Sequence, residues 1–269
     1  MKKNYNLNWH NCSNNNFKLL FNYKKRPKNE KKYDIIGKYK RHFYQCNICG
    51  HIYGRHFFKI KEIYKKNYLD LTYKNDKGIQ NRFDQIINLP IKKSDNKNRA
   101  NRVYDFLTKK RINLLDIGSG IGVFLYEMKK KGLNVEGLDL DKRYAIFLKK
   151  KGIKVNSVEI NKLKINKKFH LITLNKVLEH VQNPVIFLKK SLKFLKKNGL
   201  VYIEVPDSNA KKKGKFSEEF CLDHLQIYSI VSLINIAKSI GLFPLRVERI
   251  VEPSGKYTVF GFFKLVANK

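Results

Sequence analysis

The segment Asp116-Ile117-Gly118-Ser119-Gly120-Ile121-Gly122 closes one apolar run and opens a helix-like one. Alternate glycines there let the backbone turn tightly and approach a ligand closely. A second carboxylate, Asp139, ends the next apolar run 23 residues later. An acid at that place can accept hydrogen bonds from both hydroxyls of a ribose, so the two features together favour a nucleotide-type ligand. The dinucleotide fingerprint G-x-G-x-x-G would need glycine at position 123. Val123 stands there and the spacing is G-x-G-x-G, which disfavours a nicotinamide-dependent reductase. Nearer the N-terminus, Cys46-Asn47-Ile48-Cys49-Gly50 is a C-x-x-C half-site able to ligate zinc.

These residues need a scaffold, and the texture from residue 111 onward supplies one. Apolar runs at Ile112–Ile117, Asn134–Leu140, Lys154–Val158, His170–Asn175 and Gly199–Val205 alternate with helical patterns at 123–131, 142–151, 184–196 and 228–240. Such alternation predicts a doubly wound parallel α/β sheet covered on both faces. Two last runs, 243–251 and 257–267, flank Pro253-Ser254-Gly255, a turn that suits an antiparallel hairpin. Polar turns are expected at 74–78 and 92–98, with an amphipathic stretch over 98–110. The division expected is an N-terminal module over 1–75, a linker and lead-in helix over 76–110, and a ligand-binding domain over 111–269.

Composition narrows the class. The 269 residues are 42% hydrophobic, enough to bury a sizeable core, and no stretch approaches the 18 apolar residues of a membrane span. The opening residues show two lysines without an apolar run behind them, so no secretory signal is read and the cytoplasm is the expected compartment. The net charge is +35, carried by 47 Lys and only 10 Arg beside 28 Asn. Arginine is the residue that base-edge and bidentate phosphate recognition would favour. A solvated, composition-driven basic surface is therefore preferred to a nucleic-acid partner, with an anionic polymer kept as the alternative.

The ordered set Asp116/Gly118/Gly120/Gly122 then Asp139 resembles motif I and its sequel in class I S-adenosylmethionine-dependent methyltransferases. Phe169-His170-Leu171-Ile172-Thr173-Leu174-Asn175-Lys176-Val177-Leu178-Glu179-His180 is similar to the "F-D-x-I-x-x-x-x-V-L-E-H" signature of one large branch, with His170 where that branch has Asp. The resemblance implies a Rossmann-like seven-stranded methyltransferase sheet with an antiparallel last hairpin. It implies S-adenosylmethionine held by Asp116, Gly118, Ser119, Gly120, Gly122, Asp139, Leu140 and Asn175, with the adenine near Ser157 and Val158. Asp223-His224-Leu225-Gln226-Ile227-Tyr228-Ser229 resembles the "E-H-x-x-x-[YF]-S" element of the branch's sugar C-methyltransferases, which makes His224, supported by Asp223, or His180 the expected general base. An imidazole with an ordinary pKa near 6.5, oriented by a carboxylate, suits proton removal near neutrality.

In that branch the C-x-x-C pair belongs to an N-terminal zinc-ribbon-like module. The resemblance implies zinc held by Cys46 and Cys49 with Cys12 and His10, where Trp9 takes the place of the usual second-pair cysteine. His51 and His56 are other candidate ligands, and two reduced, buried thiols are the alternative. Cys221 reads as a buried thiol. The acceptor is expected to be a small molecule, such as a nucleotide-linked sugar or a cell-surface glycan precursor. The branch's sugar enzymes carry a further C-terminal domain not seen here, which leaves C, O or N open as the acceptor atom. An RNA or anionic-polymer methyltransferase and a non-catalytic binding protein are the rival readings.

Overall fold

The computed structural model describes residues 17–28, 30–60, 75–109 and 111–265. Its centre is a seven-stranded sheet built from β6 (Asn113–Ile117), β7 (Asn134–Leu138), β8 (Lys154–Asn156), β9 (Phe169–Asn175), β10 (Leu195–Pro206), β12 (Leu242–Val251) and β13 (Tyr257–Leu265). The order across the sheet is β12-β13-β10-β9-β6-β7-β8. β8, β7, β6, β9 and β10 run parallel, while β13 is antiparallel to both of its neighbours. The expected hairpin is present, turned by Gly255 at φ +85°, whose amide donates to the Glu252 carbonyl at 2.7 Å.

Period-two alternation explains why both faces are buried. Leu114, Leu171, Tyr202 and Phe262 point to one face, and Leu115, Ile172, Val201, Ile203 and Phe263 to the other. The first face is covered by α1 (Asp76–Ile87), α2 (Asp95–Phe106), α3 (Val123–Lys130) and α4 (Lys142–Lys149); the second by α5 (Pro184–Leu192) and α6 (Ile230–Lys238). The chain leaves β6 for β7 on one side and returns to β9 on the other. The strand order therefore reverses beside β6, the place where open α/β sheets bind ligands.

Two local expectations change. The segment read as a turn at 74–78 opens α1: the Asn75 side chain accepts from the Gly78 amide at 2.9 Å, and Ile79 and Phe83 are buried. A side-chain cap and apolar burial of about 1.5–3 kcal/mol per large residue outweigh one glycine in the first turn. The 92–98 segment likewise contains the start of α2, where Ser94 accepts from the Lys97 amide at 3.2 Å. β10 begins at Leu195 rather than Gly199, because a register shift between Leu195 and Leu200 with Asn198 at φ +62° carries the strand through.

The N-terminal region forms a second sheet, and it does not stand alone. β1 (Phe17–Tyr23), β3 (Arg41–Cys46) and β4 (Ile52–His56) are joined by β11 (Gln226–Ile227), which comes from the far end of the chain. β2 (Ile35–Ile36) and β5 (Lys59–Ile60) make a small separate pair. Tyr23, Phe43 and Ile52 share a core with Ala210, Phe220 and Ile227. No helix among the described residues is long and apolar enough to cross a membrane.

Candidate active site

β6 delivers Asp116 beneath the glycine loop. The carboxylate is 1% exposed, and its Oδ1 accepts from Thr173 Oγ1 at 2.6 Å and Asn175 Nδ2 at 2.8 Å. Burial pushes its pKa up to about 7 against those two hydrogen bonds. Gly118, Gly120 and Gly122 all take positive φ, at +73°, +51° and +72°. The amides of Gly118 and Ser119 donate to the Leu138 carbonyl, and the Gly120 amide donates to Asp139 Oδ2 at 2.8 Å. The loop is thereby tied to the end of β7. A Cβ on Gly118 would lie 2.5 Å from Val177 Cγ2, whereas one on Gly120 would meet nothing within 4 Å. The first glycine is needed for packing; the second faces open space.

That space is a cavity of about 600 Å³, in the range of small-molecule sites. Gly118, Gly120, Asp139 and Leu140 form one wall; Val158, Glu159, Ile160 and Asn161 a second; Lys176, Val177, His180 and Val181 a third. Asp139 sits at the rim, and Leu140 is half exposed. Burial raises the Asp139 pKa, opposed by the backbone amides of Gly120 and Asp141. Of the two residues expected near the adenine, Val158 lines the cavity and Ser157 does not. Glu159, Ile160 and Asn161 follow in a short 3-10 turn with no sequence signature, and Tyr144 and Phe187 enter from the first turns of α4 and α5. Ser119, Gly122, Asp116 and Asn175 support the loop without lining the cavity: the Ser119 hydroxyl packs against Gly137, and Gly122 caps α3.

The third wall turns on Lys176, a non-glycine residue at φ +57°. Its ammonium donates to Thr258 Oγ1 at 2.6 Å and lies 3.7 Å from Glu204. Glu204 is fully buried and also pairs with Arg99 and, at 2.9 Å, with Arg102. Burial would raise its pKa, but Arg99, Lys176 and Arg102 hold it well below the usual carboxylate range. His170, the departure from the family signature, accepts the Asn113 amide on Nδ1 at 3.0 Å, so an imidazole ties β9 to β6.

The structure brings His180 and His224 together, edge to face, with ring centroids 4.8 Å apart. Three bonds stitch their segments: the Leu225 amide donates to the Glu179 carbonyl at 2.7 Å, the Tyr228 hydroxyl to the Leu178 carbonyl at 3.1 Å, and His180 Nδ1 to the Asp223 carbonyl at 2.9 Å. His224 Nδ1 donates to the Glu219 carbonyl at 2.9 Å. The orienting partner of His224 is thus a backbone carbonyl. The Asp223 carboxylate faces His180 at 3.9 Å and accepts from Tyr33 of the N-terminal region at 3.3 Å. Burial, then the proximity of the His180 imidazole, pushes the His224 pKa down to about 3. Burial opposes ionisation of Asp223, but the two imidazoles hold its pKa below the ordinary value. Glu179, between the motif's leucine and histidine, is fully buried.

Cys46 and Cys49 are buried on one tight turn, where Gly50 adopts φ +71° and donates to the Cys46 carbonyl at 3.1 Å. Cys12 and His10 lie outside the described residues. His51 points into the C-terminal half, bonded to Gln226 at 2.9 Å and Ser232 at 3.3 Å, and His56 stacks on Phe58 at 5.3 Å. Among the described residues, the group of three candidate ligands that does assemble is Glu179, His180 and His224.

Comparisons with known proteins follow this geometry. The family model described as "Methyltransferase domain" matches residues 92–246. A ubiquinone biosynthesis O-methyltransferase of Pelagibacter ubique (strain HTCC1062) is 33% identical over 153 residues, which is 54% of this chain and 58% of that protein. The protein of the same name from Rickettsia canadensis (strain McKiel) is 28% identical over 99 residues, 35% of this chain and 42% of its own. The matched region therefore spans little more than half of the first relative and less than half of the second. Among solved structures, an S-adenosylmethionine-dependent methyltransferase from Aquifex aeolicus superposes with a TM-score of 0.52 at 20% identity, covering 71% of this chain and 99% of that one. The 1,6-didemethyltoxoflavin-N1-methyltransferase of Burkholderia thailandensis gives a TM-score of 0.54 at 12% identity, covering 84% and 96%. Such identities speak for a shared fold. With the family match over more than half its length, the chain belongs to the class I S-adenosylmethionine-dependent methyltransferases.

Proposed function

We propose that this chain methylates an oxygen of a small-molecule acceptor. S-adenosylmethionine supplies the methyl group as an electrophile on its sulfonium. The site fits that donor: a positive-φ loop leaves open space above Gly120, an acid stands at the rim, and apolar side chains wall the cavity. In this reading Gly118 and Gly120 shape the donor's seat, with Asp116, Ser119, Gly122 and Asn175 holding the loop. Asp139 accepts the ribose hydroxyls, and Leu140 with Val158 to Asn161 flanks the adenine.

The observation that carries the acceptor side is the His180–His224 pair beside the cavity. Each Nδ1–H is committed to a backbone carbonyl, which leaves the ring lone pair on Nε2 to take the acceptor's proton. Asp223 fixes His180 from below. An oxygen acceptor is supported by the names of the curated relatives. Transfer of labelled methyl from S-adenosylmethionine to a panel of phenols and to nucleoside-diphosphate sugars tests it. Label is expected on a hydroxyl oxygen, and His224→Gln should lower kcat about 10²–10⁴-fold with donor affinity intact. Label found only on a sugar carbon, or only on RNA with a steep salt dependence, would refute the acceptor class.

Zinc at Cys46 and Cys49 remains part of the proposal, completed by Cys12 and His10. Its support is the paired, buried thiols on one turn, and metal analysis of the purified chain tests it.

A further inference from the structure

We propose that Tyr33, from the N-terminal region, is a positioning residue for proton removal from the acceptor: it acts through Asp223 on the ring of His180. The inference rests on the reading of the His180–His224 wall as the acceptor site and deepens it. The Tyr33 hydroxyl donates to Asp223 Oδ2 at 3.3 Å, and that same oxygen lies 3.9 Å from His180 Nδ1. The Asp223 carbonyl accepts from His180 Nδ1 at 2.9 Å. Both oxygen-bearing groups of Asp223 therefore face one ring nitrogen. The bond made by that nitrogen sets the tautomer, which leaves the Nε2 lone pair for the acceptor's proton. A carboxylate held beside the ring also favours the imidazolium that forms. A group that fixes Asp223 contributes to the rate without touching the acceptor.

Tyr33 is itself locked. It is 2% exposed, its ring packs with Phe58 and Leu222, and its carbonyl accepts from Arg26 at 2.8 Å. Leu222 precedes Asp223, so an apolar contact and a hydrogen bond grip adjacent residues. The main chain is gripped as well. The Gly54 amide donates to the Leu225 carbonyl at 2.9 Å, while the Leu225 amide donates to the Glu179 carbonyl at 2.7 Å. A Cβ on Gly54 would lie 3.1 Å from the His224 carbonyl. The segment that carries Asp223 and His224 is thus clamped between the N-terminal sheet and the turn that carries His180. Cys221 supports the Asp223 carboxylate from the same segment, whereas Tyr33 supports it from a separate element.

The test uses the full chain labelled with [¹⁵N]histidine, its ring signals assigned with His180→Gln and His224→Gln. Water exchange of the ring Nδ1–H protons is read by NMR with neither donor nor acceptor present. Tyr33→Phe keeps the ring among Phe58 and Leu222 and removes the hydroxyl. The His180 Nδ1–H should exchange roughly 10-fold faster in this variant, the loss expected for one hydrogen bond to a charged group. The His224 Nδ1–H, held by the Glu219 carbonyl, should not change. Asp223→Asn should loosen His180 at least as much, and adding Tyr33→Phe to it should do nothing further. No protected His180 Nδ1–H in the parent chain, equal protection in Tyr33→Phe, equal loosening of both rings, or a second full loss in the double variant would each overturn the positioning role. On a phenol or nucleotide-sugar acceptor that takes label, Tyr33→Phe should lower kcat roughly 10-fold at unchanged KM; an intact kcat overturns the role too. Calorimetry with S-adenosylmethionine should give one Kd for parent and variants, and loss of donor binding in Tyr33→Phe alone would make its role structural and overturn the proposal. Absence of donor binding in the parent chain would instead overturn the methyltransferase reading, with the exchange data still deciding what Tyr33 does.

Discussion

Gly120→Ala separates two demands that the glycine loop makes. At φ +51° an alanine pays the left-handed penalty of about 1–2 kcal/mol. For a chain of this size that lowers Tm by roughly 2–8 °C. The added methyl meets no protein atom within 4 Å, so it costs the unliganded protein nothing more by contact. It stands instead in the space where the donor sits. Forcing an extra methyl into a filled site costs about 1–3 kcal/mol, which weakens S-adenosylmethionine binding about 5- to 150-fold. Gly132→Ala is the matched control. Gly132 has φ +87°, nothing within 4 Å of its would-be Cβ, and no place on the cavity wall. Calorimetric Kd and thermal melts of both variants should show similar losses of Tm and a loss of donor affinity in Gly120→Ala alone. Equal donor affinity in the two variants would refute the claim that the donor occupies the space above Gly120.

Three more outcomes follow from the same geometry. Asp139→Ala removes the acceptor of the Gly120 and Asp141 amides together with the proposed ribose contact; a charge-assisted bond is worth about 1.5–3 kcal/mol, so Kd for the donor should rise roughly 10- to 150-fold by calorimetry. Glu204→Gln strands Arg99, Arg102 and Lys176 around a neutral amide; breaking a buried charge set this way costs about 3–5 kcal/mol, read as a lower denaturant midpoint at unchanged m. His56 is kept neutral first by burial and then by the Arg41 charge, with its pKa lowered to about 4. The unfolded chain binds a proton there below about pH 6.5 and the folded chain does not, so stability rises with pH between 4 and 6.5; His56→Gln should flatten that slope by about 2–3 kcal/mol at its acid end, and an unchanged slope in denaturation curves would count against the burial.

The glycine loop and Asp139 were legible because each is a local event: a turn that needs positive φ at the end of one strand, and an acid at the end of the next. The strand alternation was legible for the same reason, since period-two burial at Leu114/Leu115 and Leu171/Ile172 writes both faces of the sheet into adjacent letters. α1 was hidden because Asn75 and Gly78 spell a turn as readily as they spell a capped first turn. The meeting of His180 with His224 had no local signal; the likeness to a known family offered each as a candidate base from a separate motif, and the fold alone pairs them. Glu159 to Asn161 went unseen because cavity walls made of short 3-10 turns obey no period. Glu179 stands in the motif with no sequence sign of its burial, which the fold alone supplies.

The sharing of β11 carries a consequence for how the polypeptide assembles. Gln226 and Ile227 complete a sheet whose other strands end by His56, some 170 positions upstream. During synthesis the early strands must wait with one edge bare until Gln226 and Ile227 have left the ribosome. An unpaired edge is a template for intermolecular pairing, and contacts of such sequence separation are slow to close. Formation of the His180–His224 pair and sealing of that edge are thus one late event, and premature termination before position 226 would leave a sticky intermediate for chaperones to hold.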